Sequence, residues 1–97
     1  MRWSISNKES VVLDLLQRER ELYGLQLVDL SEGQLKRGTI YVTLGRMEAK
    51  GLVSSRREGA PPAGGGLPRR LYKLTALGRT VFSAQRQIAR RLKEELA

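Results

Sequence analysis

"GTIYVTLGRMEAKGLV", Gly38–Val53, decides how the rest of the chain is read. Ile40, Leu44 and Met47 recur at i, i+4 and i+7, which puts three apolar side chains on one helical face. Gly51 then stands where a left-handed residue would end that helix. The predicted helix runs from about Arg37 to Lys50. At about 100° per residue, the opposite face centres on Gly38, Val42, Gly45 and Ala49. Thr39, Tyr41 and Arg46 flank it, and Thr43 is counted among its outward hydroxyls. Such a face is smooth, hydroxyl-rich and faintly basic. Small residues let a helix sink against base edges, hydroxyls and arginine donate to phosphates or guanine, and apolar groups meet thymine methyls. Taken alone, the stretch fits equally well an amphipathic helix with an ordinary solvent face.

The flanking sequence tilts that balance. Downstream, "LVSSRRE" (52–58) lacks helical period and has the length of a strand. "RRLYKL" (69–74) is a second strand, with Arg70, Tyr72 and Leu74 alternating onto one face. Between them "GAPPAGGGLP" (59–68) holds all three prolines and four of the ten glycines, a composition that sustains neither helix nor central strand. The two strands therefore form a hairpin with a long tip. Arg56-Arg57 and Arg69-Arg70 meet at its base, gathering four guanidiniums suited to phosphate.

Upstream, Ser6 and Glu9 form a capping box for a helix over Asn7–Arg20, with Val12, Leu15 and Leu16 on one face. In "LYGLQLVDLSEG" a short second helix carries Tyr23, Leu27 and Leu30 on a stripe and ends near Ser31, with Gly33 as its stop. Thr75 caps a last helix, Ala76–Leu96. Its apolar positions Leu77, Val81, Ala84, Ile88, Leu92 and Leu96 fall three and four apart on an otherwise basic helix.

Three helices, a strand, a loop and a strand make the order of a winged helix-turn-helix, in which the helix before the hairpin lies in a DNA major groove. The expected fold is mainly α with a small β-hairpin. Residues 1–75 form the DNA-binding domain, with its wing loop at 59–68, and residues 76–97 form a C-terminal dimerisation helix. Lys36, Arg37, Thr39, Tyr41, Val42, Thr43 and Arg46 are the candidate contacts from the recognition helix. Arg56, Arg57, Arg69 and Arg70 are those from the wing.

Charge supports a polyanionic partner. Residues 1–35 carry four basic and six acidic side chains, whereas residues 36–97 carry fourteen basic and four acidic ones, so the net +8 lies wholly in the second part. A chain of 97 residues has a thin core, and association is expected before any motif is read. Without cysteine or histidine it lacks disulfides, thiolate metal sites and imidazole catalysis, so no metal, cofactor or catalytic residue is assigned. "GGG" at 64–66 lacks the strand, helix and Lys-Ser/Thr of a phosphate loop. No apolar run is long enough to span a membrane, and the N-terminus lacks the pattern of a signal peptide, so the expected location is the cytoplasm. RNA binding would call for interleaved exposed aromatics. The remaining alternative is a winged-helix protein–protein interaction module, which has no need of so many cations on helix, wing and tail.

"YG" at Tyr23-Gly24, the opening stretch, and "RRLYKLTALGR" at 69–79 together resemble the PadR family of bacterial transcriptional regulators, over roughly Leu22–Arg79. The matching pattern is a Gly-small-apolar-Tyr start, Leu-x-Arg-Met-Glu, Gly-Leu-Val, and Tyr-x-Leu-Thr-x-x-Gly. The resemblance implies a dimeric DNA-binding repressor, with Thr39 and Tyr41 near the DNA and the last helix at the dimer interface. A two-fold dimer implies an inverted-repeat operator. Val42 departs from the family, which commonly has proline there, and the single C-terminal helix marks a short member. Some members bind aromatic effectors between subunits. Trp3 is the candidate to line such a site, although a tryptophan so near the terminus is more often a packing anchor.

Overall fold

The computed structural model describes residues 4–58 and 69–97. The order is α1 (Asn7–Glu19), β1 (Glu21–Tyr23), α2 (Gly24–Leu30), α3 (Ile40–Ala49), β2 (Val53–Glu58), β3 (Arg69–Leu74) and α4 (Ala76–Leu96). The fold is the expected one, mainly helical with a small antiparallel sheet. The expected wing loop, 59–68, lies outside the described residues, as does Trp3.

Ser6 caps α1 through both arms of its box: the Glu9 N–H donates to Ser6 Oγ at 3.1 Å, and the Ser6 N–H donates to Glu9 Oε1 at 2.8 Å. The turn from α2 to α3 is organised by Ser31. Its hydroxyl donates to the Val28 carbonyl at 2.8 Å and accepts from the Leu35 N–H at 2.9 Å. That turn brings Leu35 into the core. α3 starts at Ile40, three residues later than its spacing suggested, because Lys36–Thr39 form a turn whose Lys36 carbonyl accepts the Thr39 and Ile40 N–H groups. It ends in a Schellman motif. Gly51, at φ +78°, donates to the Glu48 carbonyl, and the Leu52 N–H donates to that of Met47.

The sheet has three strands, not two, in the order β1-β3-β2. β1 pairs through Leu22↔Tyr72 and β2 through Ser55↔Tyr72. Tyr23, expected on the second helix, is instead the last residue of β1. Three residues carry no visible period, and β1 exists only because β3 offers it an edge. Arg20, at φ +70°, makes the sharp turn from α1 into it.

The core gathers Val12, Leu13 and Leu16 of α1, Leu27 of α2, Ile40, Leu44 and Met47 of α3, and Leu52, Val53, Tyr72 and Leu74 of the hairpin. Leu30 does not share the α2 stripe inward and stands exposed. α4 is seated by Gly78, where a Cβ would fall 2.1 Å from the Leu52 carbonyl oxygen. Thr75 caps it by accepting from the Gly78 N–H at 3.0 Å. Val81 and Phe82 rest on the core, and Gln85 reaches Ser10 of α1 at 3.1 Å. Beyond them α4 projects, and the molecule extends 57 × 28 × 22 Å. Among the described residues no helix is long and apolar enough to cross a membrane.

One buried ion pair fixes α3 against α1. Glu9 is only 4% exposed, and Lys50 Nζ donates to its two oxygens at 2.9 and 2.8 Å and to the Ser4 carbonyl at 2.7 Å. Burial alone would raise the Glu9 carboxyl, but the bonds from Lys50 and Ser6 outweigh it and hold the pKa below its ordinary value. α3 is thereby clamped at its C-terminal end.

Candidate nucleic-acid interface

α3 presents the face that its spacing anticipates. Tyr41 and Val42 are 53% and 56% exposed, and Gly38, Thr39, Gly45, Arg46 and Ala49 share that exposure. Thr39 stands as the N-cap residue, where its hydroxyl accepts from Lys8 Nζ of α1 at 3.3 Å. Lys36 and Arg37 are exposed in the turn just before it. Among the described residues Arg46 makes no ion pair.

Thr43 is a correction to the outward face. It is 7% exposed, and its hydroxyl donates back to the Thr39 carbonyl at 3.2 Å. The position lies beside Ile40 and Met47 on the helix, so its methyl packs inward and the carbonyl one turn earlier satisfies the hydroxyl.

The glycines are the most informative residues of this face. Gly51 needs its left-handed backbone and Gly78 its close packing, but Gly38 and Gly45 need neither. A Cβ at either would meet nothing within 4 Å, and neither has a positive φ. Mid-helix glycine costs about 1 kcal/mol relative to alanine. Nothing in the fold repays that at Gly45. A glycine there leaves the helix backbone open to close approach from outside.

The wing carries its arginines on two faces. Strand alternation puts Arg57 with Val53 and Ser55, and Arg70 with Tyr72 and Leu74, on the face that packs toward α3. Ser55 joins the two elements: its hydroxyl donates to Glu48 Oε2 of α3 at 2.9 Å and accepts from Arg70 Nη1 at 3.3 Å. Arg56 and Arg69 point to the other face. There Arg56 pairs with Glu21 at 3.2 Å, and the Arg69 guanidinium lies 5.3 Å from the centre of the Tyr23 ring. The four guanidiniums expected at one place are thus divided two and two, and β1 holds one pair. Tyr72, between β1 and β2, has its phenol pKa pushed up, first by burial and then by Glu48, with Arg70 opposing.

The candidate dimer residues also divide. Val81 is half-buried against its own chain, whereas Leu77 and Ala84 are exposed. Ile88, Leu92 and Leu96 are 60%, 56% and 85% exposed on the projecting half of α4. Lys8 and Ser55 carry no signal in the local sequence: Lys8 meets Thr39, 31 residues on, and Ser55 links Glu48 to Arg70 on the next strand.

The family model described as transcriptional regulator PadR-like family matches residues 12–84. A PadR family transcription regulator from Clostridium difficile is 26% identical. The match covers 94% of this chain and 95% of that one, with a TM-score of 0.78. A PadR-like transcription factor from Bacteroides fragilis is 26% identical over 90% of this chain and 84% of its own, with a TM-score of 0.77. FabT of Streptococcus pneumoniae, solved in complex with DNA, shares the fold at a TM-score of 0.70 and 22% identity, over 96% of this chain and 60% of that one. No curated protein matches the chain.

Proposed function

The chain belongs to the PadR-like family of transcriptional regulators, and we propose that it acts as a homodimeric repressor that reads an inverted-repeat operator. As a DNA-binding regulator it works without catalytic chemistry. α3 enters the major groove with Gly38, Val42, Gly45 and Ala49 against the base edges, and Thr39, Tyr41 and Arg46 make the polar contacts. Lys36 and Arg37 hold phosphates at the start of the helix. Arg57 and Arg70, on the wing face turned toward α3, hold phosphates beside it. Arg56 and Arg69 contribute to the field from the far face of the wing.

The observation that carries this reading is the open pair Gly38 and Gly45, glycines that the fold itself does not require. The charge of residues 36–97 supports the same partner. The exposed Ile88, Leu92 and Leu96 support pairing of two copies through α4. A two-fold dimer sets two recognition helices in successive major grooves, about 10 base pairs apart. The site of action is the cytoplasm.

Selection of bound duplexes from a random pool tests the reading. Enrichment of an inverted repeat with half-sites about one helical turn apart is expected. Affinity for enriched duplexes should fall when Tyr41 or Arg46 is replaced by alanine. A pool that shows no enrichment after repeated selection would contradict sequence-specific recognition.

A further inference from the structure

Gly24 opens α2 and is buried, and its φ is not positive. Its backbone therefore makes no demand for glycine, and helix propensity disfavours one. The demand comes from another helix. A Cβ on Gly24 would lie 2.7 Å from Cε1, 2.9 Å from Cζ and 3.0 Å from Oη of Tyr41. The phenol end of the recognition-helix tyrosine thus lies directly on the bare backbone of α2. More than half of Tyr41 remains exposed. Its ring is consequently supported from below and open above.

We infer that Gly24 is a positioning residue: its missing side chain forms a seat that holds Tyr41 in the pose in which the tyrosine meets DNA. The inference rests on the DNA reading above and adds a residue that touches no nucleic acid. A free surface tyrosine must be ordered on binding, and that ordering opposes association. A ring already seated on Gly24 has lost that freedom in the unbound protein. Any methyl at position 24 meets the far end of a mobile side chain, not backbone. The ring can swing out toward solvent while the helix pair stays folded.

The test is a double-mutant cycle between Gly24→Ala and Tyr41→Ala, read on a selected duplex, on a random duplex and by thermal unfolding. Nuclear Overhauser contacts between the Tyr41 ring protons and Gly24 Hα are recorded on the wild type without DNA. Those contacts are expected to be present. Gly24→Ala is expected to weaken the selected duplex about tenfold, within the range of one good base contact. The random duplex and the melting temperature should change little. In the Tyr41→Ala background the same substitution should have no further effect. An equal loss in both backgrounds, full affinity in Gly24→Ala, or absence of the ring contacts in the wild type would overturn the seat. If Gly24→Ala fails to fold, the double variant decides: restored folding locates the clash at Tyr41, and continued failure overturns the inference. A wild type that does not distinguish the two duplexes defeats the DNA reading and the role in recognition with it. In that case the Overhauser contacts still show whether the seat exists.

Discussion

Arg57 and Arg70 are cross-strand partners on the face of the wing hairpin turned toward the recognition helix. Like charges directly opposite one another destabilise a strand pair. Ser55 accepts from Arg70 and links it to the Glu48 carboxylate, but neither Arg57 nor Arg70 makes an ion pair among the described residues. A polyanion would convert this repulsion into attraction. Arg57→Thr should therefore leave stability unchanged or raise it by up to about 0.5 kcal/mol. It should weaken binding to all duplex sequences alike and reduce the salt slope by about one. Thermal unfolding and titrations on unrelated duplexes check the two halves.

Two glycines predict opposite outcomes. Gly45→Ala adds a methyl into open space and removes a mid-helix glycine, so the protein should gain about 0.5–1 kcal/mol. The same methyl obstructs the face proposed to lie in the groove, so affinity for a selected duplex should drop. Gly78→Ala drives a Cβ against the Leu52 carbonyl, a backbone atom that cannot step aside. It should cost at least about 1–3 kcal/mol, the range for overpacking. Denaturant unfolding of both variants, with duplex binding of the first, is the check.

The clamp between α1 and α3 predicts acid sensitivity. Glu9 has a folded pKa below its ordinary value of 4.5, so its contribution to stability is fully present above that value and is lost as pH falls through the lower folded one. Wild type should lose stability more steeply than Glu9→Gln as the pH falls through and below 4.5. Lys50→Met leaves the buried carboxylate unpaired and should cost about 2–3 kcal/mol near neutrality. That is less than the roughly 3–5 for fully buried pairs, because the Lys50 side chain is 31% exposed. Unfolding free energies across this pH range decide it.

Assembly follows from the projecting half of α4. Ile88→Glu with Leu92→Glu should give a monomer that remains folded, because Val81, Phe82 and Gln85, nearer the start of the helix, make the contacts with the body. Its duplex affinity should be much weaker than that of the parent. Sedimentation of the wild type should show a dimer at micromolar concentration.

Much of the fold could be read locally. The Ser6–Glu9 box, the Gly51 turn, the Thr75 cap and the alternation of 69–74 are short-range signals, and each recurs in the structure. β1 was hidden because three residues show no period and their pairing depends on β3. Thr43 turns inward although polar, because a threonine can return its hydroxyl to the helix carbonyl one turn earlier. The division of the wing arginines follows from strand alternation already visible in the sequence. What alternation does not show is that Glu21 and Tyr23 of β1 lie along the far face and engage Arg56 and Arg69. Glu9 and Lys50 lie 41 residues apart, and Gly24 and Tyr41 meet across two helices. Neither contact leaves a local trace.

The salt dependence of duplex affinity tests the central claim most directly. If the dimer neutralises roughly 6–10 phosphates, log affinity should fall linearly with log salt at a slope of about −5 to −9. Replacing Arg57 and Arg70 together should make that slope distinctly shallower. Affinity that is flat in salt, or a slope unmoved by loss of both wing arginines, would contradict the assignment of α3 and the wing as a DNA-binding surface.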